Sequence, residues 1–280
     1  MKVGFIGAGK AGCSLGRYFR EKGFELSGFY SRQLESAKFA AELSGSKAFA
    51  ELEELVAASD WLFLTVSDAQ ILSVFQQVQP FLRSEMVVFH CSGVESSRLL
   101  VIDPAREYRL FSFHPLLAFP NRQTPVAAIE QALFTLEGDD DWFEEVYNQL
   151  EKLGNPIQRI EAEQKIRYHA ACVMCSNLVN GLVYTSQELF QQAGFSDEAA
   201  EVAWKNLFLA NAQNIAATDA VSSLTGPVER ADLPTIEKHL TQLEGEQAGI
   251  YRDLSQVLVE MAEIKHPETD YTQIKERFNQ

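Results

Sequence analysis

Three glycines near the start of the chain, Gly7, Gly9 and Gly12, have the spacing Gly-x-Gly-x-x-Gly within Lys2-Val3-Gly4-Phe5-Ile6-Gly7-Ala8-Gly9-Lys10-Ala11-Gly12. That spacing serves one kind of chemistry well, the binding of a pyrophosphate between a strand and a helix. Gly7 permits the tight turn, Gly9 lets the phosphates approach the backbone, and Gly12 lets the helix pack closely on the strand. The helix N-terminus then offers unpaired N–H groups and the positive end of its dipole. Ala8, Lys10 and Ala11 fall within the same turn and count with the glycines as cofactor contacts.

A second feature concerns which dinucleotide is held. The segment Phe24 to Tyr30 reads as the next strand and ends in Ser31-Arg32, where an acidic residue would accept bonds from an adenosine ribose. A guanidinium there suits a 2′-phosphate instead, so the pair points to NADP; a solvated arginine opening the next helix is the plain alternative. Val66, Ser67 and Ser92 complete the expected cofactor contacts, because they stand at the ends of later strands.

The residues able to supply a proton or a hydrogen bond to a reacting group follow the same logic. In an open parallel sheet the strand C-termini share one edge, so Gly7, Ser31, Ser67, Ser92 and His114 are expected along one crevice. His114 and Asn177 are the foremost catalytic candidates, with Ser92, His169 and Arg230 behind them; a strand-end histidine bonded only to backbone is the competing role for His114. Cys172 and Cys175 have CxxC spacing, but no second pair accompanies them and they fall mid-helix, so core packing is expected and no metal site.

Elements must position these groups. Short apolar runs predict strands at 2–6, 24–30, 60–66, 86–90, 110–113, 132–136 and 157–160, alternating with helices at about 10–22, 34–43, 51–58, 69–78, 97–102 and 141–153. Ser67-Asp68 can cap the helix that follows it. Beyond Ile160 the pattern is helical throughout, with one long helix over 162–193, another over 197–217, a break at Ser222–Asp232, and further helices from Leu233, over 246–263 and over 269–278. On the long helix His169, Ser176, Asn177, Asn180 and Tyr184 share an arc, either bonded within the helical core or facing a cleft. The expected architecture is an α/β Rossmann-like parallel sheet over 1–160 followed by an all-α domain over 161–280.

Composition narrows the function. The 280 residues include 39 acidic and 24 basic side chains, a formal net charge of −15, which opposes nonspecific binding to nucleic acid or to an anionic membrane. A strand starting at Lys2 leaves no room for a cleavable signal sequence, and the four cysteines lack the spacing of a secreted disulfide scaffold; a cytoplasmic protein with reduced thiols is expected.

Several stretches together carry a resemblance. They are Gly7-Ala-Gly-Lys-Ala-Gly12, Ser31-Arg32, His90-Cys-Ser-Gly93, His114-Pro115, Tyr168-His169-Ala-Ala with Ser176-Asn177, and Leu224-Thr-Gly-Pro-Val-Glu-Arg230 through His239-Leu240. The chain resembles two-domain proteins with a Rossmann-like N-terminal domain and a helical domain called DUF2520. That family is related to the pyrroline-5-carboxylate reductase and 3-hydroxyacid dehydrogenase superfamily and is often labelled as NADP oxidoreductases of the F420-dependent type. The resemblance implies an NADP-dependent oxidoreductase moving hydride to or from a small C=O or C=N substrate between the domains, and a homodimer built through the helical half. Two positions depart from the pattern. Ala231 stands where the family has glycine, and Val173 stands where the dehydrogenases carry a lysine four residues before the helix asparagine. The second departure keeps open a different class of function, a dinucleotide-binding sensor or scaffold without turnover.

Overall fold

The computed structural model describes residues 1–279. The chain divides into two compact units, Met1–Met174 and Cys175–Gln280. In sequence order the first holds β1 (Lys2–Ile6), α1 (Lys10–Glu21), β2 (Glu25–Tyr30), α2 (Leu34–Ser44), β3 (Lys47–Phe49), α3 (Leu52–Ala57), β4 (Trp61–Leu64), α4 (Asp68–Val78), β5 (Val87–His90), β6 (Arg109–Pro115), α5 (Val126–Glu130), β7 (Phe134–Gly138), α6 (Phe143–Leu150), β8 (Ile157–Arg159) and α7 (Lys165–Met174). The eight strands form one sheet in the order β3-β2-β1-β4-β5-β6-β7-β8.

The register of that sheet follows from a row of phenylalanines. Phe29, Phe5, Phe63, Phe89 and Phe111 are direct partners across β2, β1, β4, β5 and β6. Their rings run across one face with centroids 5.2, 5.3, 4.3 and 5.7 Å apart, all fully buried. A one-residue slip of any strand would send its phenylalanine to the opposite face, so the row fixes the pairing. The opposite face carries Ile6, Leu62, Leu64, Val88 and Leu110 under α3 and α4. Apolar side chains on both faces explain why β4, Trp-Leu-Phe-Leu, is apolar without interruption.

Three details depart from the sequence expectation. The short β3, lying between Gly45 and Ala50, is an extra parallel strand beside β2. β7 runs antiparallel to β6, so the sheet is parallel from β3 to β6 and reverses at its far edge. The helix expected over 162–193 is two helices, α7 and α8 (Asn177–Gln192), because Ser176 leaves the helical region at φ −130°, ψ −81°. Serine and asparagine side chains compete for nearby backbone groups, which makes the pair Ser176-Asn177 a natural place for a break. The first unit therefore extends past residue 160 to include α7.

The second unit contains α8, α9 (Asp197–Ala217), α10 (Leu233–Leu240), α11 (Gly245–Lys265) and α12 (Thr272–Phe278). Its core gathers Leu224, Val228, Ile236, Leu240, Val259, Ile274 and Phe278. No described helix of the chain is long and apolar enough to cross a membrane.

The departure at Ala231 has a backbone consequence. Ala231 adopts φ +54°, the left-handed region where a Cβ meets the following carbonyl. Replacing Ala231 by glycine is therefore expected to raise the unfolding free energy by about 0.5–1 kcal/mol, less the entropy glycine adds to the unfolded chain, as read by urea titration. A loss of stability on Ala231→Gly would show that the loop is not strained at this residue.

Candidate functional site

The glycine turn is built as its spacing predicts. Gly7 has φ +111°, and its N–H donates to Tyr30 O at 2.8 Å. A Cβ on Gly12 would lie 2.2 Å from Gly7 O, whereas a Cβ on Gly9 would meet nothing within 4 Å. Gly12 is thus a packing glycine and Gly9 faces open space. α1 starts at Lys10 with no side chain capping it, and its first helical bond runs from Cys13 N to Gly9 O. The N–H groups of Lys10, Ala11 and Gly12 are left for an anion.

A cavity of about 540 Å³ opens beside this turn, lined by Gly7, Ala8, Gly9, Ser31, Arg32, Val66 and Ser67 among others. The structure thus brings together most of the expected cofactor contacts, with Lys10, Ala11 and Gly12 in the adjoining first turn of α1. The residues fit a dinucleotide phosphate: free N–H donors, room beside Gly9, and a guanidinium at the end of β2. Sequence reasoning missed Arg122, which reaches the same cavity from the loop after β6. Ser67 and Asp68 make no capping bond; Asp68 is instead the first residue of α4, with its carboxylate at the positive helix end.

Further along the strand ends lies a polar cluster. His114 Nδ1 and Tyr168 Oη are 2.7 Å apart, and the rings of His114 and His169 stand 6.4 Å apart, edge to face. Gly93 lies against both, since a Cβ there would be 2.7 Å from His169 Cδ2 and 2.9 Å from His114 Cε1. Beneath them Lys165, 1% exposed, donates to Ser112 Oγ at 2.6 Å and to Ser92 O at 3.0 Å. Lys165, Tyr168, His169 and Cys172 occur at i, i+3, i+4 and i+7 of α7. That is one helix face, a signal present in the sequence but obscured there by treating α7 and α8 as continuous.

Burial sets the protonation of this cluster. Desolvation, reinforced by the Lys165 ammonium, lowers His90 to about 3 and His114 to about 4, so both imidazoles are neutral at pH 7. Burial also lowers Lys165 to about 8, against the pull of Glu137, and raises Cys91 to about 12. Burial raises the Tyr168 hydroxyl as well. At neutral pH Lys165 is still mainly charged, Cys91 is a thiol and Tyr168 keeps its proton.

The remaining expected residues divide by unit. Ser92 is 4% exposed, and its Oγ accepts from Val94 N and Glu95 N at 3.2 and 3.0 Å, so the hydroxyl closes the turn after β5. Asn177 opens α8 and accepts from Ser176 Oγ at 3.1 Å; Arg230 lies in the turn before α10. Both belong to the second unit, whereas His114, Tyr168 and His169 belong to the first. None of the four cysteines forms a disulfide, and no group of three metal-ligating side chains occurs among the described residues.

A phosphate-binding glycine turn on a doubly wound sheet makes the first unit a Rossmann-like dinucleotide-binding domain, joined to a helical second unit. Residues 2–90 match the family described as NADP oxidoreductase, coenzyme F420-dependent, and residues 132–258 match the domain of unknown function DUF2520. The chain joins these two domains, and NADP is the cofactor of the family matched over its N-terminal segment. A pyrroline-5-carboxylate reductase of Treponema pallidum is 31% identical over 147 residues, 50% of this chain and 54% of that protein. The match thus spans about half the length of that relative. Among solved structures, a protein of Thermotoga maritima aligns over 94% of this chain and 99% of its own, with TM-score 0.73 and 26% identity. The NADP-bound pyrroline carboxylate reductase of Plasmodium falciparum aligns over 95% and 96%, with TM-score 0.58 and 14% identity, a likeness of fold.

The two histidines give the site a pH signature. Each has a folded pKa below its unfolded value near 6.5, so the unfolded chain binds more protons once the pH falls below that value. Stability from their neutral burial is complete above about pH 6.5 and declines toward pH 4 and below. The expected slope from this pair approaches ~1.4 kcal/mol per pH unit for each histidine, measured by urea unfolding at stepped pH. His114→Gln should make the curve shallower; an unchanged slope would mean that His114 is not buried neutral.

Proposed function

We propose that this chain is an NADPH-dependent reductase acting on a small C=O or C=N group, with His114 as the hydrogen-bond donor to the atom that gains charge. The observation that carries this reading is the His114–Tyr168 pair, held against Gly93 at the strand edge that also bears the glycine turn. When bound, NADPH supplies the hydride. The Tyr168 hydroxyl, whose proton is held tightly, donates to His114 Nδ1 and leaves the proton of the neutral imidazole on Nε2. That N–H is a donor for a developing alkoxide or amide nitrogen, in a site where burial strengthens the bond. The buried Lys165 ammonium stabilises negative charge nearby and reinforces the burial that keeps His114 from taking up a second proton. His169 stands beside His114 as a second polar group. The relatives' printed activities support a reductase of the pyrroline-5-carboxylate type, and the NADP-bound neighbour supports the cofactor.

The test separates binding from turnover. Nicotinamide fluorescence should show tighter binding of NADPH than of NADH, and Arg32→Glu should weaken NADPH at least about tenfold while changing NADH much less. Equal effects on both would sink the NADP assignment. Loss of nicotinamide absorbance is then followed with cyclic imines, keto acids, aldehydes and oxidised coenzyme F420. His114→Gln should reduce kcat about 100-fold with NADPH affinity unchanged. Tight NADPH binding with no turnover of any substrate would replace the reductase by a dinucleotide-binding sensor or scaffold.

We also assign a homodimer through the helical unit. α8 has no fully buried residue and α9 only Ala200, yet both helices carry large apolar side chains. Leu178, Tyr184, Val202 and Leu207 are each more than half exposed. An exposed patch of large apolar side chains marks a surface covered by protein, and a second copy of the chain supplies such a cover. Sedimentation equilibrium at micromolar concentration should give twice the chain mass, with Leu207→Glu shifting it to the monomer; a wild-type monomer removes the assignment.

A further inference from the structure

Arg122 was not marked by the sequence, and neither the sheet edge nor the polar cluster explains it. It lies on the loop between β6 and α5 and enters the cavity that also holds Ser31, Arg32 and Ser36. Its Nη2 donates to Ser36 Oγ at 3.4 Å, and its guanidinium stands 5.6 Å from the centre of the Phe39 ring, so α2 supports it from below. Two cations thus share one cavity. Among the described residues neither Arg32 nor Arg122 forms an ion pair, in a chain with 39 acidic side chains available. Two unneutralised guanidiniums repel each other, and a dianionic phosphate between them turns that repulsion into attraction.

The loop that carries Arg122 is fastened to α1. Arg17 Nη2 donates to Thr124 O at 3.0 Å and Ser14 Oγ to Asn121 O at 3.4 Å, tying both neighbours of the arginine's segment to α1. Within the loop, Thr124 Oγ1 donates to Asn121 O at 3.1 Å and Gln123 N to Asn121 Oδ1 at 2.8 Å. Thr124 is buried, 2% exposed. A strap therefore crosses α1, the helix whose N-terminus faces the pyrophosphate, and sets a guanidinium down beyond it on the ribose side.

We propose that Arg122 is a second clamp on the 2′-phosphate of NADPH, opposite Arg32, and that the strap over α1 exists to hold it there. The proposal rests on the NADP reading above and adds a specificity-determining residue remote in sequence from the dinucleotide motif. Cofactor choice then depends on the fold of the β6–α5 loop as well as on the end of β2.

Isothermal titration of the full-length protein with NADPH, NADH, 2′,5′-ADP and 5′-AMP tests it without any turnover. Arg122→Met, which keeps packing on Phe39, should weaken NADPH and 2′,5′-ADP about 10- to 100-fold and leave NADH and 5′-AMP within about twofold. Arg122→Lys should recover part of the loss. Arg17→Leu, outside the cavity, should show a smaller loss with the same selectivity for 2′-phosphorylated ligands. An equal loss for all four ligands, or no loss for any, would overturn the clamp, and an unchanged melting temperature of the ligand-free Arg122→Met variant shows that the fold is intact. A wild-type protein that binds neither NADPH nor 2′,5′-ADP overturns the NADP reading and the clamp together. A wild type that binds both, with an Arg122→Met variant that binds them equally well, overturns the clamp alone.

Discussion

The carbonyl of Gly7 is the point through which the first unit is tied. Thr65 Oγ1 donates to it at 2.8 Å, and the Cα of Gly12 packs so near that a methyl group would overlap it. The N–H of the same residue binds Tyr30 O. One residue thus joins the ends of β1, β2 and β4 to the first turn of α1. Glycine in a helix interior costs about 1 kcal/mol relative to alanine, and α1 carries two, Gly12 and Gly16. Gly16 meets the Phe29 ring as Gly12 meets Gly7, its own added Cβ falling 2.2 Å from Phe29 Cζ. The helix accepts a weaker intrinsic propensity so that its axis can lie close to the sheet, which brings its N-terminus over the strand ends. Held further out, the same N–H groups would point into solvent.

Lys165 has the corresponding position under β5 and β6. Among the described residues it forms no ion pair, and its ammonium is satisfied by a hydroxyl and a carbonyl. Breaking up such a buried charge is costly, yet its presence does not make the fold more stable than an apolar residue would. Its effect is local. By holding Ser92 O it fixes the turn from Cys91 to Gly93, and Gly93 in turn bounds the space around His114 and His169. Burial keeps the neighbouring imidazoles neutral, and the charge of Lys165 reinforces that. The lysine absent at position 173 has no structural substitute at that position, but α7 delivers a lysine to the strand ends eight residues earlier.

The sheet was legible because its strands are short apolar runs ended by polar residues. β3 was not, since Lys-Ala-Phe has too little pattern to distinguish it from a turn. The reversal at β7 was not, because apolar periodicity carries no direction. The cofactor turn was readable since its residues are contiguous, and His114 was marked by its place at a strand end. Lys165 and Tyr168 share a face with His169 within α7, a set passed over by a stripe drawn from His169 on to Tyr184. Arg122 had no local signal at all: its place depends on Ser14 and Arg17 gripping a loop about a hundred residues away, a tertiary fact that spacing cannot express.

Net charge and local charge have opposite signs at this site, and the contrast explains where the cations stand. A dinucleotide phosphate approaching a chain of net charge −15 meets an unfavourable field from a distance. At physiological ionic strength that field decays over about 8 Å, so binding is decided by groups within contact range. Many cations elsewhere are paired with carboxylates, as Lys2 with Glu25, Lys22 with Glu130 and Arg106 with Asp139, and offer little to an anion. The N-terminus of α1, Arg32 and Arg122 are left uncompensated around one cavity. Pairing any of them internally would lower the energy of the free protein and weaken its hold on phosphate by a similar amount. Binding at the nucleotide cavity therefore depends on these few local groups acting against the acidic balance of the chain.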